Sequence, residues 1–158
     1  MELERKLLLN LIDEAYDKKS WHGTNLRGSI RGLTAREAAW RPGKGRHSVG
    51  EIVVHAAYWK YTVRRRLLGE KKGSFVLKGS NWFARPTESD EQAWREDVDL
   101  LRREHRAMRE SVAVLSAREL FSHVHNSTIT ADFLIRGIAA HDLYHAGQIQ
   151  LLKRLYRA

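Results

Sequence analysis

The sequence predicts an all-α protein, an antiparallel four-helix bundle with long connections. Apolar residues recur at steps of three and four in several long segments, which is the period of an amphipathic helix. Residues that typically cap helices precede most of these segments. The chain of 158 residues contains two prolines and no cysteine, so it is neither rich in linkers nor a disulfide scaffold. A single helical bundle domain over residues 1–158 is therefore expected.

The first long helix is predicted from about Glu2 to Lys19. Trp21-His22-Gly23 interrupts the apolar pattern, and Thr24 is expected to cap a short second helix. Thr34-Ala35-Arg36-Glu37 has the form of a capping box, in which the Thr and Glu side chains accept hydrogen bonds from backbone N–H groups of the first turn. It predicts a further short helix.

The second long helix is predicted to begin at another capping box, Ser48-Val49-Gly50-Glu51, and to end by Gly69. A long connection follows, from about Glu70 to Thr87. It contains glycines, but it is too apolar to be a free linker and is expected to fold back onto the bundle. Its large apolar residues are Phe75, Trp82 and Phe83.

The third long helix, about Glu88 to Leu115, has the most regular spacing in the chain. Its apolar steps of 4-3-4-3-4-3 are typical of a bundle seam. Ser116-Ala117-Arg118-Glu119 opens a short turn, and an irregular segment follows it. Thr130 is expected to cap the last helix, about Ala131 to Arg157. The residues of the third seam are Trp94, Val98, Leu101, His105, Met108, Val112 and Leu115.

The composition excludes several kinds of chemistry. Without cysteine the protein has no thiolate metal site and no cysteine nucleophile, so any thiol chemistry needs a thiol from the substrate. No run of about 18 apolar residues predicts a membrane span. The charged N-terminal segment is unlike a secretory signal, and a cytoplasmic location is expected.

The charge of +9, from 28 Lys and Arg against 19 Asp and Glu, is compatible with nucleic acid, anionic substrates or a basic surface. The densest basic groups lack the interleaved aromatic residues and glycine-rich loop of a nucleic-acid module. Solvated helix faces are the better interpretation, and a nucleic-acid partner is disfavoured. These groups are Arg64-Arg65-Arg66 with Lys71 and Lys72, and Arg102, Arg103, Arg106 and Arg109.

The segment His141-Asp142-Leu143-Tyr144-His145 carries the strongest functional signal. Two histidines four residues apart project from one face of a helix, and such a pair can offer two nitrogens to one metal ion. Both lie on the apolar seam of the last helix, where a buried polar group needs a partner. The alternative is a pair of core histidines bonded to carbonyls or a facing carboxylate.

A third histidine favours the metal. His55 borders the apolar face of the second long helix, and it meets His141 and His145 if these helices are neighbours. Three protein ligands leave a coordination position open, which is the pattern of catalytic rather than structural zinc sites.

In these segments the chain resembles the DinB/YfiT-like family of metalloenzymes. The resemblance covers nearly the whole chain and is strongest in the stretches Ser48 to Trp59 and His141 to Ile149. Trp21-His22-Gly23 and the stretch from Asn81-Trp82 to Trp94 are similar to one subgroup. The resemblance implies a four-helix bundle and a divalent ion, nickel or zinc, whose family ligands match His55, His141 and His145.

The resemblance also implies a function. Related thiol-dependent transferases use this fold with low-molecular-weight thiols such as bacillithiol, mycothiol or glutathione. The sequence thus predicts a metal-dependent enzyme acting on a small molecule, a thiol S-transferase or a related hydrolase, with a thiol as co-substrate. The alternatives are a non-catalytic metal- or ligand-binding stress module and, less favoured, a nucleic-acid binder. The resemblance also makes a homodimer plausible.

Other residues are weaker candidates. Gln148 continues the face of the histidine pair, and either orients a metal-bound water or cross-links helices. His105 occupies a core position, where bonding to a helix carbonyl is favoured over a role beside the ligands. Trp59 and Trp82 are expected to line the pocket. His22 lies at a helix break, and His123-Val124-His125 is interpreted as loop.

Overall fold

The computed structural model describes residues 2–73 and 75–158, and the described chain is helical. Its one β-type feature is an isolated antiparallel bridge between His123 and Thr130. The predicted all-α class is confirmed, with short helices between the long ones. The described residues form seven helices: α1 (Glu2–Tyr16), α2 (Leu26–Ile30), α3 (Ala35–Ala39), α4 (Val49–Leu67), α5 (Glu91–Ala113), α6 (Ala117–Leu120) and α7 (Ala131–Arg157).

The two predicted capping boxes are formed, and a third is found where a short turn was predicted. Thr34 caps α3 with Glu37, Ser48 caps α4 with Glu51, and Ser116 caps α6 with Glu119. In each box the hydroxyl accepts from the N3 backbone N–H, and the carboxylate accepts from the backbone N–H of the cap residue. The N-terminus of α4, two turns before His55, is therefore fixed by local interactions.

Other boundaries differ from the prediction by a few residues. The N-cap of α2 is Asn25 rather than Thr24, because the Asn25 side chain accepts from the backbone N–H of Gly28. Helix α5 begins three residues later than predicted, since Asp90 caps it through the N–H of Ala93. Helix α7 has its predicted bounds, but the Thr130 hydroxyl donates to Asp132 instead of capping the backbone.

The four long helices contact one another in a ring. Helix α4 contacts α5 and α7, and α1 also contacts α5 and α7. Helices α1 and α5 run in opposite directions, because Arg5 bonds to the carbonyl of Leu115 while Asp13 pairs with Arg109. Helices α4 and α7 are also opposed, since His55 meets His145 and Lys60 meets Asp142.

The core consists of two apolar clusters, and they show the direction of each helix. Helix α5 contributes Leu101 to the first cluster and Met108 to the second. Helix α4 passes through them in the same order, from Ala57 to Val63. Neighbours α4 and α5 therefore run the same way, and so do α1 and α7, which both pass from the second cluster to the first. The predicted antiparallel order does not hold for these two pairs. The long connection carries the chain back along the bundle between α4 and α5.

This connection folds onto the bundle as predicted, apart from Ser74, which lies outside the described residues. Phe83 is buried in the first cluster, and Phe75 and Trp82 pack against that cluster. The Arg85 guanidinium ties the end of the connection to Asp97 of α5. In the described part of the chain, no helix combines the length and apolar character needed to cross a membrane.

Candidate metal centre

The three predicted histidines converge between α4 and α7. Their ring nitrogens include one atom from each residue such that all three atoms lie within 4.8 Å of one another. Helix α4 supplies His55, and α7 supplies His141 and His145 from successive turns of one face. The four-residue spacing of His141 and His145 predicts them as a pair. The contact between α4 and α7 brings His55 to this pair.

The Nε2 atoms of the rings point at one another. Nε2 of His141 lies 3.1 Å from Nε2 of His55 and 3.0 Å from Nε2 of His145. Two imidazole ligands of a tetrahedral zinc ion, each with a Zn–N distance of about 2.0–2.1 Å, have nitrogens about 3.3 Å apart. The observed spacing is close to the spacing that such an ion requires.

Hydrogen bonds on the far side of two rings leave lone pairs facing the centre. Nδ1–H of His55 donates to the backbone carbonyl of Asn81 at 2.8 Å. Nδ1–H of His145 donates to Oε1 of Gln148 at 2.7 Å. Each neutral ring then carries an unprotonated Nε2. A proton on Nε2 of His141 can be donated to only one of them, whereas a cation satisfies all three nitrogens.

The environment keeps the histidines neutral, as metal ligands must be. Burial lowers the pKa of His141 to about 3 and that of His145 to about 4. Burial also lowers the pKa of His55, partly offset by its bond to the Asn81 carbonyl. His141 and Gln148 remain partly exposed, whereas His55 and His145 are buried.

Two tryptophans form the aromatic wall of the site. Trp82, from the long connection, stacks on His55 with ring centroids 4.0 Å apart, and its ring also lies 3.6 Å from that of His47. Trp59 packs edge-on against His55 and His141, with centroid distances of 6.3 Å to each. Both predicted pocket residues thus lie beside the histidines.

Asn81 is the residue at this site that the sequence did not single out by itself. Its carbonyl orients His55, and its side-chain Oδ1 accepts from Nε1 of Trp59 at 2.9 Å. Its φ of 67° lies in the left-handed region, which Asn tolerates better than most residues. The sequence signal for a special backbone conformation was an Asn between Gly79 and Trp82. The hydrogen bond from His55 to the Asn81 carbonyl could not be predicted, because every residue has a backbone carbonyl.

The remaining histidine candidates lie elsewhere. His105 is buried and stacks on Tyr16 of α1, with centroids 3.6 Å apart, and it is not part of the cluster of three. Its Nδ1 has no hydrogen-bond partner among the described residues, so the expected bond to a helix carbonyl is not found for this atom. His22 is exposed near Ser20, and the backbone at His123 forms the isolated bridge.

The dense basic groups are partly neutralised. On α5, Arg109 forms two hydrogen bonds with Asp13, and Arg102 pairs with Asp99. At the end of α4, Arg64 lies within ion-pair distance of Glu70 and Glu104. The basic residues that line an open cleft of about 590 Å³ near that end are Arg65, Arg66, Lys71 and Lys72.

Comparison with known proteins identifies the family of this chain. A family model described as "DinB superfamily" matches residues 20–149, which include all three histidines and the long connection. No curated protein and no solved structure matches the chain significantly.

Proposed function

We propose that this chain, which belongs to the DinB superfamily, holds one divalent metal ion through Nε2 of His55, His141 and His145 and uses it in catalysis. The observation that carries the proposal is the meeting of three Nε2 atoms, two of which, those of His55 and His145, carry lone pairs because their Nδ1–H groups donate elsewhere. Two of the four long helices, which are proposed to form one four-helix bundle domain, hold these ligands: α4 carries His55, and α7 carries His141 and His145.

The proposed ion is nickel or zinc, as the family resemblance implies, and the donor set is compatible with both. Neutral imidazole suits zinc, copper, iron and nickel, whereas calcium and magnesium prefer oxygen ligands. Three protein ligands leave a position for a substrate or water, as in catalytic zinc sites. A bound divalent ion supplies Lewis acidity, which lowers the pKa of a coordinated water or thiol.

The proposed reaction is a thiol-dependent S-transfer or a related hydrolysis of a small molecule. The protein has no thiol of its own, so a low-molecular-weight thiol is the proposed co-substrate. Trp59 and Trp82, which lie beside the histidines, are proposed to contact apolar parts of this thiol. The net charge of +9 favours an anionic thiol. Gln148 is proposed to orient His145 rather than to act on the substrate.

Metal binding tests the proposal first. Cobalt-substituted or zinc-loaded protein should contain one ion per chain, and His141→Ala should abolish stoichiometric binding because this ring is in contact with both others. His123→Ala is the matched control, since it removes a histidine outside the cluster. Stoichiometric binding by the His141→Ala variant would refute the proposal.

Thiol titration tests the chemistry. Adding bacillithiol, mycothiol or glutathione to the cobalt-substituted protein should produce a sulfur-to-cobalt charge-transfer band, because a divalent ion favours the deprotonated thiol. A cobalt site that gives no band with any of the three would favour the alternative, a non-catalytic metal-binding module.

A homodimer through the outward face of α7 is also proposed. The exposed residues between positions 137 and 151 of this helix carry no charge, although charged residues make up 30% of the chain. An antiparallel two-fold contact centred on Tyr144 would place Leu151 of one copy over Gly137 of the other. The exposed residues of this face are Phe133, Gly137, Ala140, Tyr144, Gly147, Leu151 and Leu155.

A further inference from the structure

A buried ion pair lies beside the candidate metal centre. Nζ of Lys60 on α4 donates to Oδ2 of Asp142 on α7, and the two side chains are 0% and 1% exposed. The Lys60 ammonium also lies 5.2 Å from the centre of the Tyr16 ring, which stacks on His105. This polar layer therefore includes a side chain from each of the four long helices.

Burial of the Lys60–Asp142 pair contributes little to the free energy of folding, because desolvation of the two charges offsets their attraction. Removing two charges from water costs several kcal/mol for each ion, and well-packed apolar replacements of such pairs are often neutral or stabilising. Oδ1 of Asp142 has no hydrogen-bond partner among the described residues, so part of its desolvation is uncompensated. Folding free energy alone gives no reason for a lysine and an aspartate at these positions.

The position of the pair suggests another role. Asp142 directly follows His141 on α7, and Lys60 lies five residues after His55 on α4. Apolar contacts between the two helices are non-directional and do not by themselves select one axial register. A slip of one helical turn, about 5.4 Å, would leave both charges buried and unpaired. The same slip would separate His55 from the other two histidines.

We propose that the Lys60–Asp142 pair is a positioning device that fixes the axial register of α4 against α7 and thereby holds His55 within reach of His141 and His145. This inference rests on the proposed function, because the register matters here only if the three histidines bind a metal ion. Register control is the best-attested use of buried polar groups between helices.

The test replaces the pair by apolar residues of similar size. The Lys60→Met/Asp142→Leu variant should fold with a melting temperature at or above that of the native protein. Its affinity for zinc should fall 10- to 100-fold, as for changes behind metal ligands, and the ligand-field spectrum of its cobalt form should change. The Lys60→Gln/Asp142→Asn variant, which keeps a hydrogen bond between the helices, should recover most of the affinity.

The matched control removes an ion pair between two helices without candidate ligands. Arg109→Met/Asp13→Leu breaks the pair between α5 and α1 and should leave the zinc affinity unchanged. Native affinity and spectrum in the apolar Lys60/Asp142 variant would overturn the inference. So would failure of that variant to fold, since the pair would then serve folding itself. Absence of zinc binding by the native protein would instead refute the proposed function.

Discussion

At the scale of single residues, the candidate centre depends on the atoms behind the histidines as much as on the rings. The Asn81 carbonyl and the Gln148 side chain each take the Nδ1 proton of a ring and so fix which nitrogen faces the centre. Partners of this kind orient ligands and raise their basicity in known metal sites. They direct the Nε2 lone pairs of His55 and His145 at the centre, where Nε2 of His141 also lies.

His105 provides a residue-scale prediction on acid stability. Burial, with the nearby charges of Lys60 and Arg109, lowers its pKa to about 2. The unfolded state, with a pKa of about 6.5, therefore binds the proton more readily as the pH falls. The resulting stability is fully present above pH 6.5 and is lost as the pH falls towards 2.

His105→Phe keeps an aromatic ring against Tyr16 and removes this titration. Between pH 6.5 and 4.5, the free energy of unfolding of the metal-free native protein should fall by about 2 kcal/mol more than that of the variant, because the slope approaches about 1.36 kcal/mol per pH unit below pH 6.5. Urea unfolding at several pH values measures the difference. Shifts of the three site histidines are common to both proteins, so parallel curves would contradict the assignment.

At the scale of elements, helices were predictable because their signals are local. The capping boxes at Thr34, Ser48 and Ser116 each involve residues three apart, and all three form. The pair His141 and His145 was predictable for the same reason. The parallel course of α4 and α5 was not, since it depends on the path of the connection. The Lys60–Asp142 pair was not predicted either, because lysine and aspartate are expected on the protein surface rather than in the core.

The long connection gives an element-scale prediction through Asn81. Both Asn81→Ala and Asn81→Gly remove the hydrogen bond to Trp59. At a φ of 67°, Ala is strained because it tolerates the left-handed region less well than Asn, whereas Gly adopts this conformation freely. The Ala variant should therefore lose more zinc affinity than the Gly variant, because the carbonyl that orients His55 shifts. Competition with a chromophoric chelator measures both affinities. Equal losses would show that backbone conformation at Asn81 does not position the ligand.

At the scale of the whole molecule, the uncharged face of α7 predicts self-association. Leu151→Glu should convert a dimer to a monomer, because a two-fold contact would bury two added carboxylates in an apolar surface. Sedimentation velocity gives the mass in solution. Val114→Glu, at an exposed apolar residue outside α7, is the control and should stay dimeric. A native protein that is monomeric at high micromolar concentration would contradict the proposed dimer.

The central proposal for this DinB-superfamily protein is that two helices present three histidines to a single metal ion. The most direct test is a crystal structure of zinc- or nickel-loaded protein, with data collected on both sides of the absorption edge of the metal. We expect one anomalous peak, about 2.0–2.2 Å from Nε2 of His55, His141 and His145, with at least one further ligand that is not protein. A peak that excludes His55, or a centre closed by a fourth protein ligand, would contradict this expectation.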